Sequence, residues 1–275
     1  MLSFGGASPA PLAYSYSLLS LPPLKILNPN PSSNLLSPNC IPFSGAISSG
    51  PPPPVSTVLS KRKRYRKTCP GEAEGIAQEM RFVAMRLRNS QSSTDDDGGD
   101  LWQPSLDGFL KYLVDSKLVF DTVERIVDES ADVSYAYFRK TGLERSSGLS
   151  KDLEWFSQQG PVIPEQSSPG IAYARYLEEL AEKSGPSFLC HFYNIYFAHI
   201  AGGQVIGKQA CEKLSVGKEL EFHKWQGDVQ ELLKDAREKL NKLGEYWTRY
   251  EKNRCLREAA KSFKFSGQIV RLIIL

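Results

Sequence analysis

From residue 72 onward apolar residues recur at helical spacing, and turn formers divide them into separate blocks. Ile76, Met80, Val83 and Leu87 follow one another at intervals of four, three and four, which predicts an amphipathic helix. The polar stretch from Asn89 to Asp100, with Asp95-Asp96-Asp97-Gly98-Gly99 inside it, ends that helix as a surface loop. Further helices are expected over Leu106 to Glu129, Ser150 to Gln158, Gly170 to Lys183, Ser187 to Leu214, Asp228 to Tyr246 and Glu251 to Ile269. Gly142, Gly148, Gly160-Pro161, Pro164, Pro169, Gly185-Pro186 and Gly217 separate them. In the block from residue 228, Leu232, Leu233, Ala236, Leu240 and Leu243 form a core stripe, with Glu238 and Lys239 or Lys242 on the wet face. Strand-like alternation is scarce and no internal repeat is visible. The expected fold is all-α, a single multi-helix domain.

One helical block contains a local contradiction. Ala201-Gly202-Gly203-Gln204 interrupts an apolar run, preceded by His199 and by Phe192, Tyr193, Tyr196 and Phe197. Each glycine there costs about 1 kcal/mol against alanine, so something other than helix propensity holds the pair in place. Without Cβ atoms the backbone can lie close to a flat ligand or to another helix, and the residues alone leave both uses open.

Composition divides the chain unevenly. Residues 1–71 contain no Asp or Glu, and through Ser60 there are 13 Ser and 12 Pro with Lys25 the one charged residue. The basic run Lys61-Arg62-Lys63-Arg64-Tyr65-Arg66-Lys67 follows. Seven Lys/Arg lie within residues 1–70, which leaves 27 Lys/Arg against 31 Asp/Glu, a net −4, for the remainder. The net +3 of the whole chain therefore comes from the leader, and the body is mildly acidic. A leader rich in Ser and Pro and free of acid predicts a plastid transit peptide over residues 1–68, ahead of a helical domain over 69–275. A disordered terminal arm is the plainer alternative.

Several chemistries drop out. No stretch reaches the roughly 18 apolar residues of a membrane span, and Ile269 to Leu275 is short and broken by Arg271. Cys40, Cys69, Cys190, Cys211 and Cys255 show no C-x-x-C spacing, so reduced thiols are expected rather than a zinc site or disulfide framework. There is no G-x-S-x-G elbow, phosphate loop or H-E-x-x-H. Neither a metal site, nucleic acid nor a membrane is expected as partner. The three histidines are His191, His199 and His223, and the first two, eight residues apart, could edge one helix face.

The segment from His191 to Val205, HFYNIYFAHIAGGQV, resembles the distal helix of heme oxygenases. The resemblance extends through Pro70-Gly71-Glu72, the stretches 109–117 and 133–138, and Gly267 to Arg271, and looks closest to the plastid enzymes of land plants. It implies an all-helical heme oxygenase fold with a kinked glycine-rich helix over the face of the macrocycle. By this resemblance Gly202 and Gly203 match the glycines above the ring, and Tyr193 matches a pocket tyrosine. Arg81 and Arg237 match basic residues that pair with propionates, with Lys234 a looser candidate. His199 stands where many non-plant members carry a distal aspartate.

At one position the resemblance breaks down. Active members carry a proximal histidine on the first helix, whose neutral imidazole binds the heme iron, where this chain has Arg88. Arginine stays protonated and has no lone pair to offer, so Arg88 cannot make that bond. Arg81, seven residues earlier, lies almost directly above it and about 10 Å along the axis. Read without the family, Arg88 is a cation near a helix C-terminus, and Arg81 and Arg237 are solvated surface residues.

The leading expectation is a plastid homologue that has lost the reaction and kept part of a tetrapyrrole pocket. No cofactor is required, heme or protoporphyrin IX is the expected ligand, and no catalytic residue is expected. A role in tetrapyrrole and phytochrome-chromophore metabolism follows from the family. One alternative is an active enzyme that uses ferredoxin-derived electrons to turn heme into biliverdin, carbon monoxide and iron, with His199 or His191 as the iron ligand. Another is a ligand-free partner of an active heme oxygenase.

Overall fold

The computed structural model describes residues 75–92 and 102–274, and every regular element among them is helical. The leader and the acidic stretch at Asp95-Asp96-Asp97 lie outside the described residues. In chain order the helices are α1 (Ile76–Ser92), α2 (Leu106–Glu129), α3 (Val133–Ala136), α4 (Ser146–Gln158), α5 (Ser168–Lys183) and α6 (Gly185–Ala198). A π-helical turn (His199–Gly203) joins α6 to α7 (Gln204–Lys213), and α8 (Val229–Glu245) and α9 (Arg249–Val270) follow. Short 3-10 turns lie at Glu221–His223 and Arg271–Ile274. None of the described helices is long and apolar enough to cross a membrane.

Local chemistry accounts for many of the boundaries. The Ser105 hydroxyl accepts the Gly108 N–H at 2.9 Å and starts α2. Asp228 caps α8, and Thr248 with Glu251 makes a reciprocal capping box on α9. Pro169 and Pro186, expected as breakers, stand in the first turns of α5 and α6, where a missing N–H costs nothing. α4 begins four residues earlier than expected. Gly148 lies inside it, where a Cβ would come within 3.0 Å of the Glu221 carbonyl, so this glycine serves close packing rather than a turn. α1 continues to Ser92, past the expected end at Asn89, because no glycine or proline interrupts it there. The four-residue α3 is too short for a periodic signal.

α6 runs through the middle of the core, packed on α9 and α5, while α2 packs on α4 and α5. Aromatic rings bind these layers. Phe192 meets Phe138 at 5.3 Å and Tyr196 at 4.9 Å between centroids, and Tyr196 meets Phe120 at 5.3 Å. Two fully buried carboxylates are satisfied largely by backbone N–H groups, Asp152 with a further contact to Lys218 Nζ at 3.4 Å. Asp115 on α2 accepts the N–H groups of Ser167 and Gly170, each at 2.8 Å, at the start of α5. Asp152 on α4 accepts those of Glu221 at 2.9 Å and Phe222 at 2.8 Å, which fixes the 3-10 turn behind the π-helical segment. On α8, Leu233, Ala236 and Leu240 are buried as expected, whereas Leu232 and Leu243 are half-buried at its margins.

Candidate functional site

α1 is held at its N-terminal half. The Asn241 side chain on α8 accepts the Ala77 N–H at 2.9 Å, and Glu79 forms two bonds to Arg249, at 3.0 and 2.9 Å. Gly244 lets α8 approach closely, since a Cβ there would lie 2.8 Å from Ile76 Cγ2. This anchoring sets α1 across a cleft from α6, with α8 and α9 completing its walls. Met80 and Arg81 line one side, Tyr193, Asn194 and Phe197 the other, and Arg237 and Phe263 the remainder. Arg237 is half-buried and its Nε donates to the Tyr193 hydroxyl at 3.3 Å, while Arg81 is exposed at the margin. The structure thus brings Arg81, Tyr193 and Arg237 together. Arg88 belongs to the same helix, two turns further on.

The glycine pair is not plain α-helix. Residues His199–Gly203 form a π-helical turn, the kind of distortion that tends to mark functional positions. Gly203 gives up its side chain to the His199 ring, because a Cβ there would lie 3.0 Å from Nδ1. His199 is buried, its Nε2 lies 3.1 Å from the Phe222 carbonyl, and its ring stacks on Phe222 at 4.0 Å. A carbonyl can only accept, so Nε2 carries the proton and Nδ1 keeps a lone pair. Burial, then the neighbouring His223, push the His199 imidazolium far down, so the ring is neutral. His199 and Gly203 line a second cavity between α2, the π-turn and α9, mostly apolar, which Tyr112, Ser116, Tyr173 and Ser266 also reach.

Phe263 lines both spaces and stands between them. The cleft measures about 100 Å³ and the second cavity about 110 Å³. Sites for drug-sized ligands run to about 300–1,000 Å³, so neither space alone encloses a four-ring macrocycle. Phe263 and Tyr173 had no signal in the sequence, since an aromatic on an amphipathic helix looks like core.

Not all expected residues join the site. Lys234 is exposed, pairs with Glu231 at 3.1 Å and lines neither space, because its place on α8 faces away from the cleft. Of the glycine pair only Gly203 lines the second cavity, and Gly202 is buried in the turn. His191 and His199 do not share a face. His191 turns to α5 and α9, bonding Tyr173 at 3.0 Å and Glu258 at 3.1 Å, while His199 turns to Phe222. His223 is buried behind Gly207, whose Cβ would lie 2.4 Å from Nε2, and neither ring nitrogen has a protein partner. Burial lowers its pKa to about 4.

The arrangement suits a ligand's carboxylates and apolar faces better than a metal centre. Two guanidiniums border the cleft, and guanidinium is matched to carboxylate. An iron ligand is another matter. Both nitrogens of His191 are engaged, one nitrogen of His199 is engaged on the π-turn side, and Met80 Sδ lies against Cys255 Sγ at 3.7 Å. No group of three or more His, Cys, Asp or Glu suited to a metal ion occurs among the described residues.

An all-helical body in which a π-turn at a glycine pair interrupts the central helix, with arginines at the border of a cleft, defines the class of fold. A sequence profile described as Heme oxygenase matches residues 103–272, and the chain belongs to the heme oxygenase family. It is 60% identical over 239 residues to "Probable inactive heme oxygenase 2, chloroplastic" of Arabidopsis thaliana, covering 78% of this chain and 80% of that one. Identity to the protein of the same name from rice is 52% over 254 residues, covering 78% and 77%. "Heme oxygenase 1, chloroplastic" of Arabidopsis thaliana is 45% identical over 277 residues, covering 96% and 98%. All three names carry the plastid destination expected from the leader. The cyanobacterial heme oxygenase-1 from Synechocystis, solved in complex with heme, matches in fold with a TM-score of 0.57 at 17% identity, over 70% of this chain and 90% of that one.

Proposed function

We propose that this protein is a plastid member of the family that holds a tetrapyrrole without opening its ring. Residues 1–68 act as the transit leader and residues 69–275 as the working domain. The carrying observation is the cleft itself: Arg81, Tyr193 and Arg237 border it, and the helix that forms its other wall bears Arg88 where active members carry the iron-binding histidine. Arg81 and Arg237 pair with the ligand's carboxylates, Gly203 and His199 back its far side, and no residue supplies the electronic tuning that oxygen activation requires. The names of the two relatives called inactive support this reading. By retaining a pigment precursor, or by acting on an active relative, such a protein would modulate phytochrome-chromophore supply and photomorphogenesis.

Titration of the domain over residues 69–275 with protoporphyrin IX and with hemin, followed by absorbance, tests the reading. A saturable spectral shift is expected for at least one of them, with no biliverdin formed when reductant and ferredoxin are added. Flat titrations, with co-purification of an active heme oxygenase, would instead favour a docking protein without ligand.

Ligation of iron by His191 is disfavoured by its hydrogen bonds. Engaging His191 would break bonds to Tyr173 and Glu258 at a fully buried ring.

A further inference from the structure

His191 and Glu258 take no part in the cleft, yet they sit in a continuous hydrogen-bonded chain. At the surface, the half-exposed Lys261 donates to Glu258 Oε1 at 2.8 Å and to the Tyr176 hydroxyl at 2.9 Å, and Tyr176 donates to Glu258 Oε2 at 2.7 Å. Glu258 Oε2 lies 3.1 Å from His191 Nε2, and His191 Nδ1 lies 3.0 Å from the Tyr173 hydroxyl, which also meets Ser262 Oγ at 3.2 Å. Tyr173 lines the apolar cavity that His199 and Gly203 back, as does Ser266.

The direction of every bond is fixed by its outer end. Burial works to raise the Glu258 carboxyl, but bonds from His191, Lys261 and Tyr176 overcome it and hold the group at about 2, so it only accepts. His191 Nε2 must then carry the proton, Nδ1 must accept, and the Tyr173 O–H must donate outward. The phenol oxygen is left as an acceptor. This is the order of a nucleophile, a base and an orienting carboxylate, here buried across three helices.

We propose that Tyr173, His191 and Glu258 form a proton relay between solvent at Lys261 and the apolar cavity, serving a molecule that presents an O–H or N–H group there. In the outward step the donor's proton bonds to the Tyr173 oxygen as the phenol proton passes to His191 Nδ1. The Nε2 proton passes in turn to Glu258, which releases it to solvent. Tyr173 and His191 each end with the proton count they began with, His191 as its other tautomer, and the donor alone has lost a proton. The reverse sequence delivers one. The relay does not depend on which tetrapyrrole, if any, the cleft holds.

Proton exchange measured by NMR on the ligand-free protein separates a relay from a merely structural bond set. The His191 Nε2–H and Tyr173 O–H are expected to exchange with solvent at least about 100-fold faster than the amides of His191 and Phe192, which need α6 to open. Glu258→Gln, which keeps a hydrogen-bonding side chain but cannot take up the proton, is expected to slow them at least about tenfold with the amides unchanged. If that variant does not fold, Lys261→Met with Tyr176→Phe removes the outer end at the surface and carries the same expectation. Phenol, added as a small probe of the cavity, is expected to shift the Tyr173 and His191 ring resonances saturably. Side-chain exchange at the amide rate, indifference to the substitutions, or no response to phenol would each overturn the proposal.

Discussion

The buried interior behind α6 and the helix that faces α6 across the cleft are built in opposite ways. In the interior formed by α2, α4, α5, α6 and α9, polar groups are buried and paired, with Asp115, Asp152, His191 and Glu258 each satisfied by named partners. On α1, Ala77 bonds Asn241 and Glu79 bonds Arg249, and Arg81, Phe82, Met85 and Arg86 stand exposed. A wall made of interlocked packing and hydrogen bonds cannot lose one member without destabilising the fold. A wall made of a helix surface can exchange a residue at little cost. Under the proposed function, a change of residue on α1 is therefore one the fold tolerates, and the helix that faces it can persist.

The contrast is broken most severely from the buried side. His191→Ala leaves Tyr173 and Glu258 without the ring they share in a buried site and opens a cavity. A loss of about 3 kcal/mol is expected, read as a lower urea midpoint, while Arg81→Ala on the opposite wall leaves the midpoint unchanged. Acid should act on the same side. His191, His199 and His223 all have folded pKa values pushed down by burial, the last from 6.5 to about 4. The unfolded chain takes up protons near pH 6.5 that the folded protein refuses, so their stabilisation is full above that pH and is lost progressively as pH falls toward 4. Thermal unfolding across this range is expected to show a falling midpoint, which Lys261→Met does not reproduce at neutral pH.

Ligand measurements sharpen the contrast from the cleft. Phe263→Ala joins the two spaces and is expected to speed protoporphyrin IX association several-fold by stopped-flow fluorescence, where an unchanged rate would show that Phe263 is not the partition. Arg237→Ala removes a guanidinium from the ligand's carboxylate edge and should weaken binding about tenfold in titration. Lys234→Ala, already paired away from the cleft, should change affinity by less than about twofold.

Helical periodicity revealed most of the fold, because an amphipathic stripe is written in spacing. α2 occupies its expected range, and α5, α8 and α9 differ by one or two residues at their ends. What periodicity could not show is where glycines serve contact. Gly148 reads as a breaker until its approach to Glu221 is known, and the glycine pair leaves ligand and helix contact open until the approach of Gly203 to His199 Nδ1 is seen. Arg81, Tyr193 and Arg237 were legible only through resemblance, since exposed arginines have no pattern of their own. The Tyr173, His191 and Glu258 chain was not legible at all. Its members come from three helices and meet only in the folded core.

Single-turnover reduction of hemin-loaded protein, comparing the native chain with Arg88→His and following biliverdin by absorbance, tests the central claim most directly. The account predicts no biliverdin from the native chain, and a five-coordinate complex with biliverdin formation from Arg88→His. Biliverdin from the native chain at the rate of the Arg88→His protein would contradict it.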